Sequence, residues 1–122
     1  MIHSIKFASI PVRDQDEALQ FYTTKLGFAI QTDQPMGEGQ RWIELRIPGA
    51  DTRLVLFTPD GHEDRIGTHS NVVFASDDVA ATYEELTARG VAFDREPETQ
   101  PWGTFATFRD PDGNQFVLSS TR

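Results

Sequence analysis

The strongest constraint on this chain is that its order of elements occurs twice. Asp14 and Asp77 lie 63 residues apart, and so do Gly27 and Gly90. In the first copy Ile5 to Val12 alternates as a strand does. Asp14 follows as a helix cap, with Glu17 as its capping-box partner. Ala18, Phe21, Tyr22 and Leu26 recur at helical spacing, and Gly27 ends the helix because it accepts positive φ. In the second copy Asn71 to Ala75 reads as a strand, and Asp77-Asp78 caps a helix carrying Val79, Tyr83 and Leu86. Gly90 ends that helix.

Three strands are expected after each helix. In the first copy they begin at Phe28-Ala29-Ile30 and continue as Arg41 to Ile47 and Arg53 to Thr58. In the second they are Val91-Ala92-Phe93, Trp102 to Arg109 and Gln115 to Ser119. The segments Gln34-Pro35-Met36-Gly37-Glu38-Gly39 and Glu96 to Pro101 read as loops by their Pro and Gly content. Pro48-Gly49 and Asp110-Pro111-Asp112-Gly113 mark tight turns at matching places in the two copies. The expected architecture is α+β, a single domain of 122 residues. Module one covers about 1–61, a linker about 62–68, and module two about 69–122.

Composition narrows the function classes. The chain has no cysteine, which removes disulfides, thiolate metal sites and cysteine nucleophiles. Its net charge of -8 repels phosphate backbones and anionic lipid, so neither nucleic acid nor membrane is expected as a partner. No signal peptide and no apolar run of membrane-spanning length can be recognised, and a cytoplasmic protein is expected. Phosphate-loop, Gly-x-Ser-x-Gly and His-Glu-x-x-His motifs are all missing.

Two longer motifs carry a family resemblance. Ile10-Pro11-Val12-Arg13-Asp14, followed by Ala18, Phe21-Tyr22 and Leu26-Gly27-Phe28, resembles the opening of the vicinal oxygen chelate superfamily. That group holds glyoxalase I, bleomycin-resistance proteins, fosfomycin-resistance enzymes and extradiol dioxygenases. Phe108-Arg109-Asp110-Pro111-Asp112-Gly113-Asn114-Gln115-Phe116-Val117-Leu118 resembles its closing motif. The resemblance implies two βαβββ modules whose curved mixed sheets form a cup. It also implies a divalent metal, held by His, Gln or Glu on the first and last strand of each module.

The four implied ligand positions fall on Phe7, Val55, Asn71 and Val117. Three of these side chains have no donor atom, and Asn71 alone makes a poor site. No metal and no other cofactor are therefore expected. His62, Glu63 and Asp64 read as a solvated linker, and His3 as a surface residue.

Strand alternation then names the lining of the cup. Ser9 joins Phe7, Phe57 joins Val55, Val73 joins Asn71, and Gln115 joins Val117. Ile43, Leu45 and Ile47 are assigned to the helix side, which leaves Trp42, Glu44 and Arg46 facing the cup. Phe105 and Thr107 are the chosen inward residues of the following strand, with Trp102 near the rim. Glu44 and Arg46 share a strand face and are able to neutralise each other.

Such a lining suits a small-molecule ligand that is aromatic or cationic. The favoured function is a metal-independent binding protein that sequesters a compound, similar to the bleomycin-resistance branch, as a homodimer. The alternative is a glyoxalase-like lyase, isomerase or dioxygenase. It would use a metal at non-standard residues, or Glu44 as a general base with a pKa raised by the apolar cup. His69 is the second candidate for that role.

Overall fold

Asp14 turns the chain from strand to helix. Its Oδ1 accepts hydrogen bonds from the backbone N–H groups of Asp16 (2.9 Å) and Glu17 (3.1 Å). Asp78 does the same for the second helix, accepting from Ala81 N at 3.0 Å. The computed structural model describes residues 1–37, 39–68 and 72–121, which form two compact units, Met1–Ile66 and Gly67–Arg122.

The first unit contains β1 (Phe7–Pro11), α1 (Gln15–Gln20), β2 (Ala29–Gly37), β3 (Gln40–Arg46) and β4 (Arg53–Phe57). A π-helical turn, Phe21–Lys25, continues α1, and Gly27 beyond it has a φ of 83°. The strands are ordered β1-β4-β3-β2, with β1 parallel to β4 and the other pairs antiparallel. Ile10, Ile43, Leu45, Leu54 and Leu56 are buried on one face of this sheet. Ala18, Phe21 and Tyr22 are the buried residues of the helical segment. Gln15 ties α1 to the sheet by donating from Nε2 to the carbonyls of Arg41 (2.8 Å) and Leu56 (3.1 Å).

The expectation that residues 34–37 form a loop is corrected. They complete β2, and Pro35 stands opposite Arg41. An edge strand tolerates a proline because one side of it needs no N–H donor. Register shifts at Ile30/Thr32 and Pro35/Gly37 bend the strand. Arg41 fastens it by a fork of hydrogen bonds to Asp33, from Nε to Oδ1 (3.1 Å) and Nη2 to Oδ2 (2.8 Å), and also pairs with Asp16. That fork holds the Asp33 carboxyl below its ordinary value of 3.8.

The second unit contains β5 (Val72–Ser76), α2 (Val79–Ala88), β6 (Ala92–Phe93), β7 (Glu98–Gln100), β8 (Gly103–Arg109) and β9 (Gln115–Ser120). The order β5-β9-β8-β6 repeats that of the first unit, again with the first and last strands parallel. β7 is an addition that the sequence reading took for part of a loop; it pairs with the start of β8. Pro97 and Pro101 bracket those three residues and hide the strand signal. The core is aromatic: Tyr83 meets Phe93 at 4.8 Å, Phe93 meets Phe108 at 5.4 Å, and Phe74 meets Phe116 at 5.4 Å between ring centroids.

The turn before β9 is held by buried polar groups. Asp110 Oδ1 accepts from Asn114 N (2.8 Å) and Asp112 N (3.0 Å), and Asn114 Nδ2 donates to Asp110 Oδ2 (2.9 Å). Asn114 Oδ1 also accepts from Gly67 N at 3.0 Å. Asn114, which is fully buried, thus fixes the start of the unit to its closing hairpin.

Candidate ligand-binding face

In each unit one sheet face carries the helix, and the residues of interest lie on the other. In the first unit Ser9 of β1 stands beside Val55 of β4, and Val55 stands opposite Glu44 of β3. Phe7 is beside Arg53, and Arg53 is opposite Arg46. Alternation brings Trp42 and Phe57 to the same face. Phe7, Ser9, Trp42, Glu44, Arg46, Val55 and Phe57 therefore share one surface.

Two aromatic rings close over part of that surface. Phe7 and Trp42 meet edge to face with 5.5 Å between centroids. Their strands are separated by β4, and two strand spacings amount to about 10 Å. The rings must therefore lean toward each other across β4. Val55, on this face of β4, is only 1% exposed.

Glu44 lies in the same patch, with a side chain 10% exposed. Its Oε2 accepts from Arg53 Nη1 at 2.7 Å, and its Oε1 from Trp42 Nε1 at 3.3 Å. The hydrogen bond from Arg53 holds the carboxyl below its ordinary 4.5; burial opposes the shift, and the indole N–H adds to it. This corrects the expected rise. A carboxylate with a lowered pKa and an occupied oxygen is a weak general base. The correction extends to the charge partner. Glu44 is paired with Arg53, not Arg46, so it does not stand free to meet a cationic ligand.

In the second unit Val73 is beside Val117, and Val117 is opposite Thr107. Phe105 and Gln115 lie on the same face by alternation. Trp102, just before β8, stacks on Phe105 at 5.3 Å with 25° between ring planes, and it is 59% exposed. A cavity of 340 Å³ adjoins Phe105, Thr107 and Gln115 and is edged by Asp94, Glu96 and Glu98. Asp94 Oδ2 accepts from Gln115 Nε2 at 3.2 Å, and its Oδ1 accepts from Arg109 Nε at 3.2 Å. A larger cleft of 590 Å³ lies beside α2, bordered by Asp78, Tyr83, Glu96 and Thr104. Asn71 and His69 lie outside the described residues.

The sequence reading missed Arg53 and Asp94. Both act on neighbours from another element, and only the strand pairing reveals them.

The sequence profile of the Glyoxalase/Bleomycin resistance protein/Dioxygenase superfamily matches residues 4–118. The chain belongs to that superfamily. The two end motifs imply the fold of this superfamily, and the repeated sheet order agrees with it. The chain is 41% identical over 118 residues to the uncharacterized protein YetH of Bacillus subtilis, covering 97% of this chain and 98% of that one. Among solved structures it is similar to TnmS3, an antibiotic binding protein from Streptomyces sp. CB03234. That likeness has 38% identity and a TM-score of 0.83, and covers 98% of this chain and 96% of that one. A superfamily member from Sphaerobacter thermophilus is 35% identical with a TM-score of 0.88, and 98% of each chain is covered.

The residues of this superfamily member do not fit the metal that the vicinal oxygen chelate resemblance implies. Phe7, Val55 and Val117 offer no donor. Among the described residues no three His, Cys, Asp or Glu side chains converge as a metal site requires. Among the described residues, too, no helix is long and apolar enough to cross a membrane.

Proposed function

We propose that this superfamily member is a binding protein that sequesters an aromatic small molecule without a metal. The observation that carries the proposal is the Phe7–Trp42 pair. It places an aromatic edge at a position where the vicinal oxygen chelate resemblance calls for a metal ligand. Aromatic surfaces bind planar ligands by stacking and by the burial of large apolar area. The exposed Trp102, stacked on Phe105, is a second platform of the same kind. The likeness to a protein described as antibiotic binding supports the same reading.

On this proposal the protein acts in the cytoplasm as a homodimer, without turnover. A thermal-shift screen against planar aromatic antibiotics tests it. A ligand should raise the melting temperature progressively with its concentration. In Trp42→Ala the same rise should need about tenfold more ligand. A flat response across the panel would count against a binding role.

A further inference from the structure

We infer that the open face of the first sheet receives the anionic group of its aromatic ligand, with Arg46 as the partner of that group. The inference rests on the binding role proposed above and specifies its ligand as an aromatic anion, such as a carboxylate, phenolate or sulfonate.

Arg46 and Arg53 are directly opposed on β3 and β4, so both project from the same face. Like charges in that relation repel and destabilise the sheet. One carboxylate, Glu44, is placed to relieve them, and it pairs with Arg53 at 2.7 Å. Its other oxygen accepts from the Trp42 indole. Glu44 is buried, and its ion pair is with Arg53 and not with Arg46. Arg46 itself is exposed, and among the described residues it has no ion pair.

Lys6 adds to the excess. Its carbonyl accepts from Arg53 N at 3.2 Å, and its charge also lowers the Glu44 carboxyl. Arg53 and Lys6 therefore act on one buried carboxylate while Arg46 stands opposite Arg53, in a chain whose net charge is -8. A local cationic excess on so acidic a protein is not explained by solubility.

The excess also borders the aromatic edge. Phe7 is the neighbour of Arg53 on the β1 side, as Arg46 is on the β3 side. Phe7 and Arg46 are thus two strand spacings apart, about 10 Å. A ligand of two or three fused rings can lie against Phe7 and Trp42 and bring an acidic substituent to Arg46. A guanidinium engages a carboxylate through two parallel N–H donors, which fixes orientation as well as charge. A cationic ligand on this face would meet Arg46 and find no available carboxylate.

The test uses three ligands with one ring system: 2-naphthoate, 2-naphthamide and 2-naphthylmethylammonium. Each is titrated calorimetrically into the full chain and into Arg46→Gln. The naphthoate should bind about tenfold more tightly than the ammonium. Arg46→Gln should weaken naphthoate by about tenfold and the amide by much less, because only naphthoate loses a charge-assisted bond. If the ammonium or the amide binds as tightly as the naphthoate, the anion assignment fails while aromatic binding stands. The same holds if Arg46→Gln keeps the naphthoate preference. If none of the three binds, the aromatic-binding role fails, and the anion assignment with it.

Discussion

The Phe7 and Trp42 rings meet edge to face, with 5.5 Å between centroids and 78° between planes, although β4 separates their strands. Val55, on this face of β4, is buried, and the indole N–H donates to Glu44 at 3.3 Å. Removing the indole therefore does two things. Trp42→Ala uncovers apolar surface and should lower stability by about 1–3 kcal/mol, measured by denaturant unfolding. It should also weaken an aromatic ligand by tenfold or so in a calorimetric titration. Unchanged affinity in a folded Trp42→Ala protein would remove the pair from the binding face.

The Glu44–Arg53 pair should leave a mark on the pH dependence of stability. The folded-state carboxyl lies below its ordinary 4.5. Its contribution is therefore fully present above the unfolded value and is lost as pH falls through the folded one. Glu44→Gln should cost about 1–2 kcal/mol near neutral pH, where the charge-assisted bond is lost. The gap between wild type and variant should close in acid, below the ordinary 4.5. A gap that stays constant across that range would mean that the pair contributes no charge-dependent stability.

Gly67 and Gly49 share a φ of 83° but differ in surroundings. A Cβ on Gly67 would stand 2.5 Å from the carbonyl oxygen of Asp112, whereas one on Gly49 would meet nothing within 4 Å. Gly49→Ala should cost about 1 kcal/mol, the strain of the backbone conformation. Gly67→Ala should cost at least about 2 kcal/mol more, because the closing turn must move. Equal losses in the two variants, read from their melting curves, would mean that the contact with Asp112 is easily relieved.

Most of the fold could be read from the sequence because local signals agree with the global arrangement. Asp14, Asp78, Gly27 and Gly90 punctuate both helices, and strict alternation in Arg41–Ile47 separates a buried face from an aromatic and charged one. The errors fell where proline masks pairing. Pro35 sits within an edge strand, and Pro97 and Pro101 flank a three-residue strand. The site was legible as faces, and less so as partners. Period-two alternation puts Glu44 and Arg46 on one side, but it cannot reveal that β4 brings Arg53 to the carboxylate first. That choice depends on strand register, which is a long-range property. It reverses the direction of the expected Glu44 shift and leaves Arg46 as the exposed cation.

On the proposed function, aromatic binding needs no metal. The most direct test is a calorimetric titration of 2-naphthoate into protein dialysed exhaustively against a chelator, repeated after adding back zinc, manganese or ferrous iron. The affinity should be the same in every case. Binding that appears only with a divalent ion, accompanied by stoichiometric metal on the protein, would contradict this expectation.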